Sequence, residues 1–268
     1  MLRLKVIVNC GPCEAFIEQC LSSIKSQTYR HWDAYVTVDP CGDKTFERAL
    51  VGKGDDTRIV VTRNFTPLYS MANLVRAIER SQAQPEDVIV VLDGDDWFAN
   101  DQALQVIVDT YIRHDCWLTY GSWVPNVDDG YVGQWPSYPE GTTDFRSQPH
   151  LATAVRTWKR WLWDWIDDDD LRAADGQYLR VTEDQAVMLP MLEMSGMNRA
   201  KHIPTILMIY NRANLYSCDK IRLHELRENE AYIRSKAPYA LLQKKMVRGK
   251  YGNYSQFFND EARLANII

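Results

Sequence analysis

Val88-Ile89-Val90-Val91-Leu92 contains no polar residue, and the next four positions are Asp93, Gly94, Asp95 and Asp96. Five apolar residues without alternation describe a strand covered on both faces, which demands helices above and below it. The flanking sequence supplies them. Strand patterns at 4–8, 33–38, 58–62, 87–92 and 117–120 alternate with helical patterns at 14–26, 46–51, 70–81 and 101–113. Strands separated by helical stretches of that length imply parallel crossovers, so the fold class is α/β with a mostly parallel central sheet flanked by helices.

The pattern changes after Gly121. Residues 122–149 hold Pro125, Pro136, Pro139 and Pro149 and read as loop or hairpin. A Trp-rich helix is expected over 151–166, with Trp158, Trp161 and Trp165 on one face and Trp163 pointing elsewhere. The acidic run 167–170 reads as its solvated end. A helix at 182–194, a strand at 203–210 and a polar helical tail complete the chain. No linker-like tract separates these parts. Residues 1–120 and 121–217 are expected to be two halves of one domain, followed by a helical extension over 218–268.

Composition bounds the function class. Hydrophobic residues make up 46% and charged residues 25%, as in an ordinary soluble globular protein, and no apolar stretch is long enough to span a bilayer. The opening residues enter a strand pattern at once and do not read as a secretory signal, so a cytoplasmic location is expected. Six cysteines in 268 residues do not make a disulfide scaffold. The net charge of −5 is uneven, because residues 219–250 carry nine Lys or Arg against four Asp or Glu. That basic segment is either a solvated helical face or a surface that meets an anionic acceptor or a membrane periphery.

Three acidic segments carry the chemistry. Ligands of open α/β sheets bind beyond the carboxyl ends of the strands, where Asp93, Asp95 and Asp96 fall. Crowded carboxylates repel unless a cation lies between them, and hard oxygen ligands suit Mn²⁺ or Mg²⁺. Gly94 lets backbone approach a ligand closely. A bare surface turn is the alternative, but Asp101 is available to cap the following helix. Asp39 also ends a strand, with Asp43 four residues on, and reads either as a base or ribose contact or as an Asp-Pro turn. Glu183 and Asp184 open a helix, where they serve as a general base or simply complement the helix dipole.

Residues 6–29, VIVNCGPCEAFIEQCLSSIKSQTY, align without a gap on the opening V-I-I-P-T-Y-N-R-x-x-Y-L-E-E-C-L-E-S-I-L-S-Q-T-Y of the family-two glycosyltransferases. The family's D-D-G-S-T-D segment resembles 38–43, its L-D-x-D-D motif resembles Leu92 to Asp96, and its T-E-D motif is similar to Thr182-Glu183-Asp184. The resemblance covers about residues 4–212 and implies the GT-A fold, typical of nucleotide-diphospho-sugar transferases. It further implies an inverting, metal-dependent transfer of a sugar from a nucleotide sugar, normally UDP-linked, to an acceptor hydroxyl. Asp39 would contact the base, Asp95 would be the chief metal ligand, and Asp93 would reach the ribose or the metal. Asp96 would support the metal site, and Asp184 would be the catalytic base. Asn9, Cys10, Gly11, Asp43, Asn73, Gly94 and Glu183 complete the donor-site expectation. The family's A-R-N motif becomes Met71-Ala72-Asn73, which lacks its arginine, and the late Y-R-x-H pattern becomes 210–214, where Arg212 would supply the positive charge.

The acceptor stays open between a glycan, a lipid-linked sugar, a protein side chain and a nucleic acid. Two rival functions also stand. Cys10-Gly11-Pro12-Cys13, between a strand and a helix, matches a thiol–disulfide oxidoreductase, which requires a low-pKa Cys10. A catalytically silent nucleotide-sugar-binding module is the other. No role is assigned to His114, His150 or His202.

Overall fold

A computed structural model describes residues 1–128, 130, 133 and 136–247. Its centre is one eight-stranded sheet in the order β3-β2-β1-β4-β7-β6-β8-β5. The first half follows the expected alternation: β1 (Leu4–Cys10), α1 (Ile17–Lys25), β2 (Trp32–Val38), α2 (Thr45–Lys53), β3 (Ile59–Arg63), α3 (Tyr69–Arg80) and β4 (Val88–Asp93). Strands β1, β2, β3 and β4 are mutually parallel. Their register sets Asn9 beside Asp93 and Cys10 beside Val38, so three chain reversals open at one sheet edge.

Alternate residues of β1 serve opposite cores. Leu4, Val6 and Val8 pack with Ile17, Leu21 and Ile24 of α1, whereas Ile7 joins Ile89, Val91 and residues of α3. All of these are buried, as a doubly covered strand requires. A short β5 (Trp97–Phe98) and α4 (Ala103–His114) follow. Helix α4 begins after Asn100, whose Oδ1 accepts the Gln102 N–H at 2.9 Å, so Asn100 rather than Asp101 supplies the side-chain acceptor at its start.

The second half departs from expectation. Strand β6 (Leu118–Pro125) extends into the expected loop, and the Trp-rich segment is not one helix. Its centre is β7 (Arg156–Lys159), antiparallel to both β4 and β6, followed by the one-turn α5 (Arg160–Trp163). A short apolar run is ambiguous by periodicity, and here the open edge of β4 decides in favour of a strand. Trp158 therefore stacks on Trp163 at 6.1 Å, and Trp161 meets Trp117 edge-on at 4.9 Å, instead of Trp158, Trp161 and Trp165 sharing a face.

Helix α6 (Glu183–Arg199) and strand β8 (Ala200–Tyr210) complete the sheet, with β8 parallel to β6 and antiparallel to β5. Beyond β8 lie α7 (Cys218–Ile221) and α8 (Leu223–Ser235). Residues 236–247 have no regular structure, and the rest of the expected helical extension, 248–268, lies outside the described residues.

The acidic run is a docking point for this tail rather than a solvated helix end. Tyr239 donates its hydroxyl to Asp170 Oδ2 at 2.5 Å, and Lys236 Nζ lies 3.1 Å from Asp170 Oδ1. Lys245 pairs with Glu86, so basic residues of the tail are spent on the acidic body.

Candidate active site

The reversals after β1, β2 and β4 meet the start of α6 and the segment after β8 around one cleft of about 650 Å³. That volume is typical of a ligand site, and the position beyond the strand carboxyl ends is where open α/β sheets bind ligands. Asn9, Cys10, Gly11, Asp39, Asn73, Asp93, Asp95, Asp96, Glu183 and Asp184 all line it.

Three expected residues are not among its walls. Asp43 instead accepts the Thr45 N–H at 3.0 Å and the Glu14 N–H at 3.3 Å, tying the loop after β2 to the start of α1. Gly94 packs against thiols, because a Cβ there would lie 2.4 Å from Cys10 Sγ and 3.2 Å from Cys13 Sγ. Its lack of a side chain serves internal packing. Arg212 is paired with Asp219, and its backbone N–H donates to Asn126 Oδ1 at 2.8 Å. The guanidiniums in the cleft wall belong to Arg156, Arg180 and Arg222.

Asp39 is more committed to the protein than its sequence position suggests. Its carboxylate accepts Asn64 Nδ2 at 2.7 Å, the Leu68 N–H at 3.1 Å and the Tyr69 N–H at 2.8 Å. Asn64 also donates to Asn73 Oδ1 at 2.7 Å. Asp39 thereby holds the loop that enters α3 against the end of β2. Tyr69 and Thr182, both in the cleft wall, have φ of +63° and +69°. Left-handed backbone at non-glycine residues is costly, and such positions concentrate at functional sites.

The acidic cluster divides by burial. Asp96 is almost fully buried, and its Oδ1 accepts the Asn211 N–H at 2.8 Å, so it braces the turn against the end of β8. Asp95 Oδ2 accepts Asn214 Nδ2 at 2.8 Å, while the same amide reaches the Pro12 carbonyl at 3.3 Å. Burial raises the pKa of Asp95, and burial together with Asp95 and Asp93 raises that of Asp96 well above the usual carboxylate range. Asp93 is pushed up to about 7 by burial, with Glu183, Asp95 and Asp184 adding repulsion that Arg156 only partly relieves.

Such a cluster calls for a cation. Among the described residues, no three His, Cys, Asp or Glu side chains converge in an all-protein metal site. Mn²⁺ and Mg²⁺ at phosphate-transfer centres use one or two carboxylates, with water and substrate phosphate filling the rest. Asp95 and Asp93, partly exposed in the cleft, fit that donor set, whereas Asp96 is buried.

Two residues that carry no motif complete the site. Arg156, from β7, is 7% exposed, with Nη1 3.3 Å from Glu183 Oε1 and Nη2 3.8 Å from Asp93 Oδ2. Burial alone would lower its pKa, but Glu183, Asp93 and Asp184 hold it well above the ordinary value. His150 Nε2 lies 3.4 Å from Asp184 Oδ2. Burial works to raise the Asp184 pKa, yet His150, Arg156 and the Gln185 N–H hold it well below the usual range. That N–H donates to Asp184 Oδ1 at 2.8 Å, whereas Thr182 offers no side-chain cap to α6. In the sequence Arg156 stands near Lys159 and Arg160 with nothing to single it out, and His150 carries no signal either.

Cys10 and Cys13 are 2% and 3% exposed. The Cys10 thiol is pushed well up by its hydrogen bond to Cys13 and by burial, with Cys20 and Asp95 adding to it. This is the opposite of the low-pKa thiol an oxidoreductase needs.

The model of glycosyl transferase family 2 matches residues 6–164, more than half of the chain, and the chain belongs to that family. No curated protein matches it. Among solved structures it is similar to TarS 1–349 of S. aureus in complex with UDP-GlcNAc, with 16% identity and a TM-score of 0.61 over 80% of this chain and 59% of that one. It is also similar to the mannosyltransferase PcManGT of Pyrobaculum calidifontis in complex with GDP-Man and Mn²⁺, with 14% identity and a TM-score of 0.58 over 88% and 66%. Glucosyl-3-phosphoglycerate synthase of Mycobacterium tuberculosis, in complex with Mn²⁺, UDP and glucosyl-3-phosphoglycerate, gives 13% identity and a TM-score of 0.56 over 87% and 80%. The chain spans about 59 to 65% of the TarS 1–349 structures. The fold is GT-A, and residues 6–164 carry the glycosyl transferase family 2 match. Among the described residues, no helix is long and apolar enough to cross a membrane.

Proposed function

We propose that this family member transfers a sugar from a nucleotide sugar, most naturally a UDP-sugar, to an acceptor hydroxyl with inversion at the anomeric carbon and dependence on Mn²⁺ or Mg²⁺. One observation carries the reading: Asp93 and Asp95 at the end of β4 and Asp184 at the start of α6 line a single cleft. Inversion needs a base on one side of the sugar and a stabilised leaving group on the other, and this arrangement provides for both. Asn9, Cys10, Gly11 and the loop held by Asp39 form the wall where the base and ribose would lie. Glu183 and Arg156 keep the centre of the cleft structured. When bound at Asp95 and Asp93, the divalent cation would offset charge on the departing diphosphate.

Asp184 takes the acceptor proton as the acceptor oxygen bonds to the anomeric carbon and the bond to the diphosphate oxygen breaks. The conserved atom count leaves a nucleoside diphosphate, a glycosylated acceptor and one proton. The acceptor class is a glycan, a lipid-linked sugar or another hydroxyl bearer, with a peripheral membrane or nucleic-acid acceptor open to the same screen. Support for UDP comes from the neighbours whose complexes contain UDP or UDP-GlcNAc. A thermal-shift screen of nucleotide sugars with Mn²⁺ identifies the donor. Asp95→Ala should lose Mn²⁺-dependent donor binding, and Asp184→Asn should keep binding and lose turnover. Full transfer by both variants would sink the assignment.

A further inference from the structure

His150 sits at the end of a long loop, yet several elements fix its position. The next residue, Leu151, donates its N–H to the Tyr138 hydroxyl at 3.1 Å. Arg234 of α8 donates to the carbonyls of Arg146 and Gln148 at 2.6 and 2.8 Å. Arg146 in turn makes a two-pronged contact with Glu193 of α6 at 2.6 and 3.0 Å and donates to the Ile233 carbonyl at 2.5 Å. Helix α6 begins with Asp184 and is tied through Glu193 to the loop that presents His150. The His150 side chain is 9% exposed and that of Asp184 is 31% exposed, so the carboxylate faces the cleft with the imidazole behind it.

This placement addresses a chemical problem. A carboxylate held well below its usual range is a weak proton acceptor: burial raises Asp184, a protonated His150 lowers it, and Arg156 and the Gln185 N–H lower it whatever the state of His150. The charged and titratable groups around it are His150 from the loop, Arg156 from β7, Glu183 from α6 and Asp93 from β4. Of these the imidazole is the one placed against the Asp184 carboxylate with a ring nitrogen able to take up a proton.

We propose that His150 positions Asp184 and receives the proton that Asp184 removes from the acceptor hydroxyl. The inference rests on the glycosyltransferase reading above. The acceptor O–H bond breaks and its oxygen bonds to the anomeric carbon, while the electron pair of the broken sugar–phosphate bond leaves with the diphosphate. The proton passes from Asp184 Oδ2 to an unprotonated His150 Nε2, leaving a carboxylate beside an imidazolium; because both ring nitrogens are buried, the proton then leaves by way of Asp184, which opens on the cleft. His150 is a positioning residue and proton store, and it touches no substrate.

Two measurements on the full chain test this. The first is an NMR titration of the His150 ring nitrogens in wild type and in Asp184→Asn, with no ligand present. Removing the paired charge should lower the His150 midpoint by about one pH unit, and an unmoved midpoint overturns the pair. The second is Mn²⁺-dependent UDP-sugar hydrolysis, with water as acceptor, using the UDP-sugar that wild type cleaves fastest. His150→Gln should lower kcat about 100-fold with UDP affinity unchanged and with the acidic limb of the kcat–pH profile displaced. Added imidazole should restore part of the rate to His150→Ala. A His150→Gln enzyme within about threefold of wild type in kcat, with the same pH profile, overturns the proton role. Failure of wild type to bind UDP with Mn²⁺ would overturn the glycosyltransferase reading instead, and the titration would still decide the pair.

Discussion

Arg156 Nη1 lies 3.3 Å from Glu183 Oε1, joining a mid-sheet strand to the helix that begins with the base candidate. The same guanidinium faces Asp93 across 3.8 Å, so one buried charge serves both acidic motifs. Its environment also explains why β7 lies where it does. A strand paired to β4 carries its first residue to the carboxyl end of β4, beside Asp93.

Arg156→Met should therefore be costly. Removing one partner from a buried ion pair leaves the other charge uncompensated, and about 3–5 kcal/mol of stability should be lost. Urea unfolding measures it. Arg156→Lys should recover part of the loss, because it keeps the charge but not the planar fork. Equal stability of the Met variant and wild type would contradict the role given to the guanidinium.

Asp93 gives a pH-dependent stability difference of definite sign. Its pKa is raised from 3.8 to about 7 in the folded state, chiefly by burial. A carboxyl group shifted upward favours the folded state while protonated, so its benefit is present at low pH and lost as pH rises through about 7. Asp93→Asn imitates the protonated form at every pH. In chelator-treated protein, its Tm should approach that of wild type near pH 4 and exceed it by a margin that widens toward pH 8. A constant difference across that range would show that Asp93 is not strained by its neighbours.

The Gly94 contact predicts coupling between two positions that the sequence separates by more than eighty residues. A Cβ at 94 would lie 2.4 Å from Cys10 Sγ and 3.3 Å from the Asn9 carbonyl oxygen. Gly94→Ala should destabilise by about 2 kcal/mol through overpacking. Adding Cys10→Ala removes the closer clash, so the double variant should be more stable than the sum of the single effects by about 1 kcal/mol. Denaturant melts of the four proteins close the cycle. Additivity would mean that the loop after β1 simply moves aside.

These contacts mark how far the sequence could be read. Strand ends were legible because the largely apolar runs 6–8, 34–38 and 88–92 each stop at a polar residue, so Asn9, Asp39 and Asp93 stand out in the sequence. The Trp-rich segment was misread because four residues of strand followed by one helical turn give an apolar spacing that periodicity alone cannot divide. Arg156 and His150 were invisible as site residues for a different reason. Neither belongs to a local pattern, and each reaches the cleft only through pairing across the sheet or through a loop pinned by α6 and α8. Cys10-Gly11-Pro12-Cys13 was legible as a motif but not as an environment: the depth of burial that raises the Cys10 thiol is a tertiary property.

Asn214 supplies the last and most direct test of the donor site. Its amide donates to Asp95 Oδ2 at 2.8 Å and to the Pro12 carbonyl at 3.3 Å, spanning the segment after β8, the turn after β4 and the loop after β1. It also stabilises the ionised form of Asp95 against the upward push of burial. Asn214→Ala removes a hydrogen bond to a charged group, worth about 1.5–3 kcal/mol, and frees the carboxylate to rotate. Mn²⁺-dependent UDP affinity, measured by calorimetry, should weaken by about tenfold or more, with little change in metal-independent UDP binding. Asn214→Asp tests the electrostatic side. It replaces the donor with a second carboxylate near the first, so without metal it should raise the Asp95 pKa and lower stability at neutral pH. Excess Mn²⁺ should then recover more stability in Asn214→Asp than in Asn214→Ala, since a cation between two carboxylates offsets their repulsion. If both variants bind UDP and Mn²⁺ as wild type does, Asp95 is not oriented by Asn214, and the segment after β8 has no part in shaping the donor site.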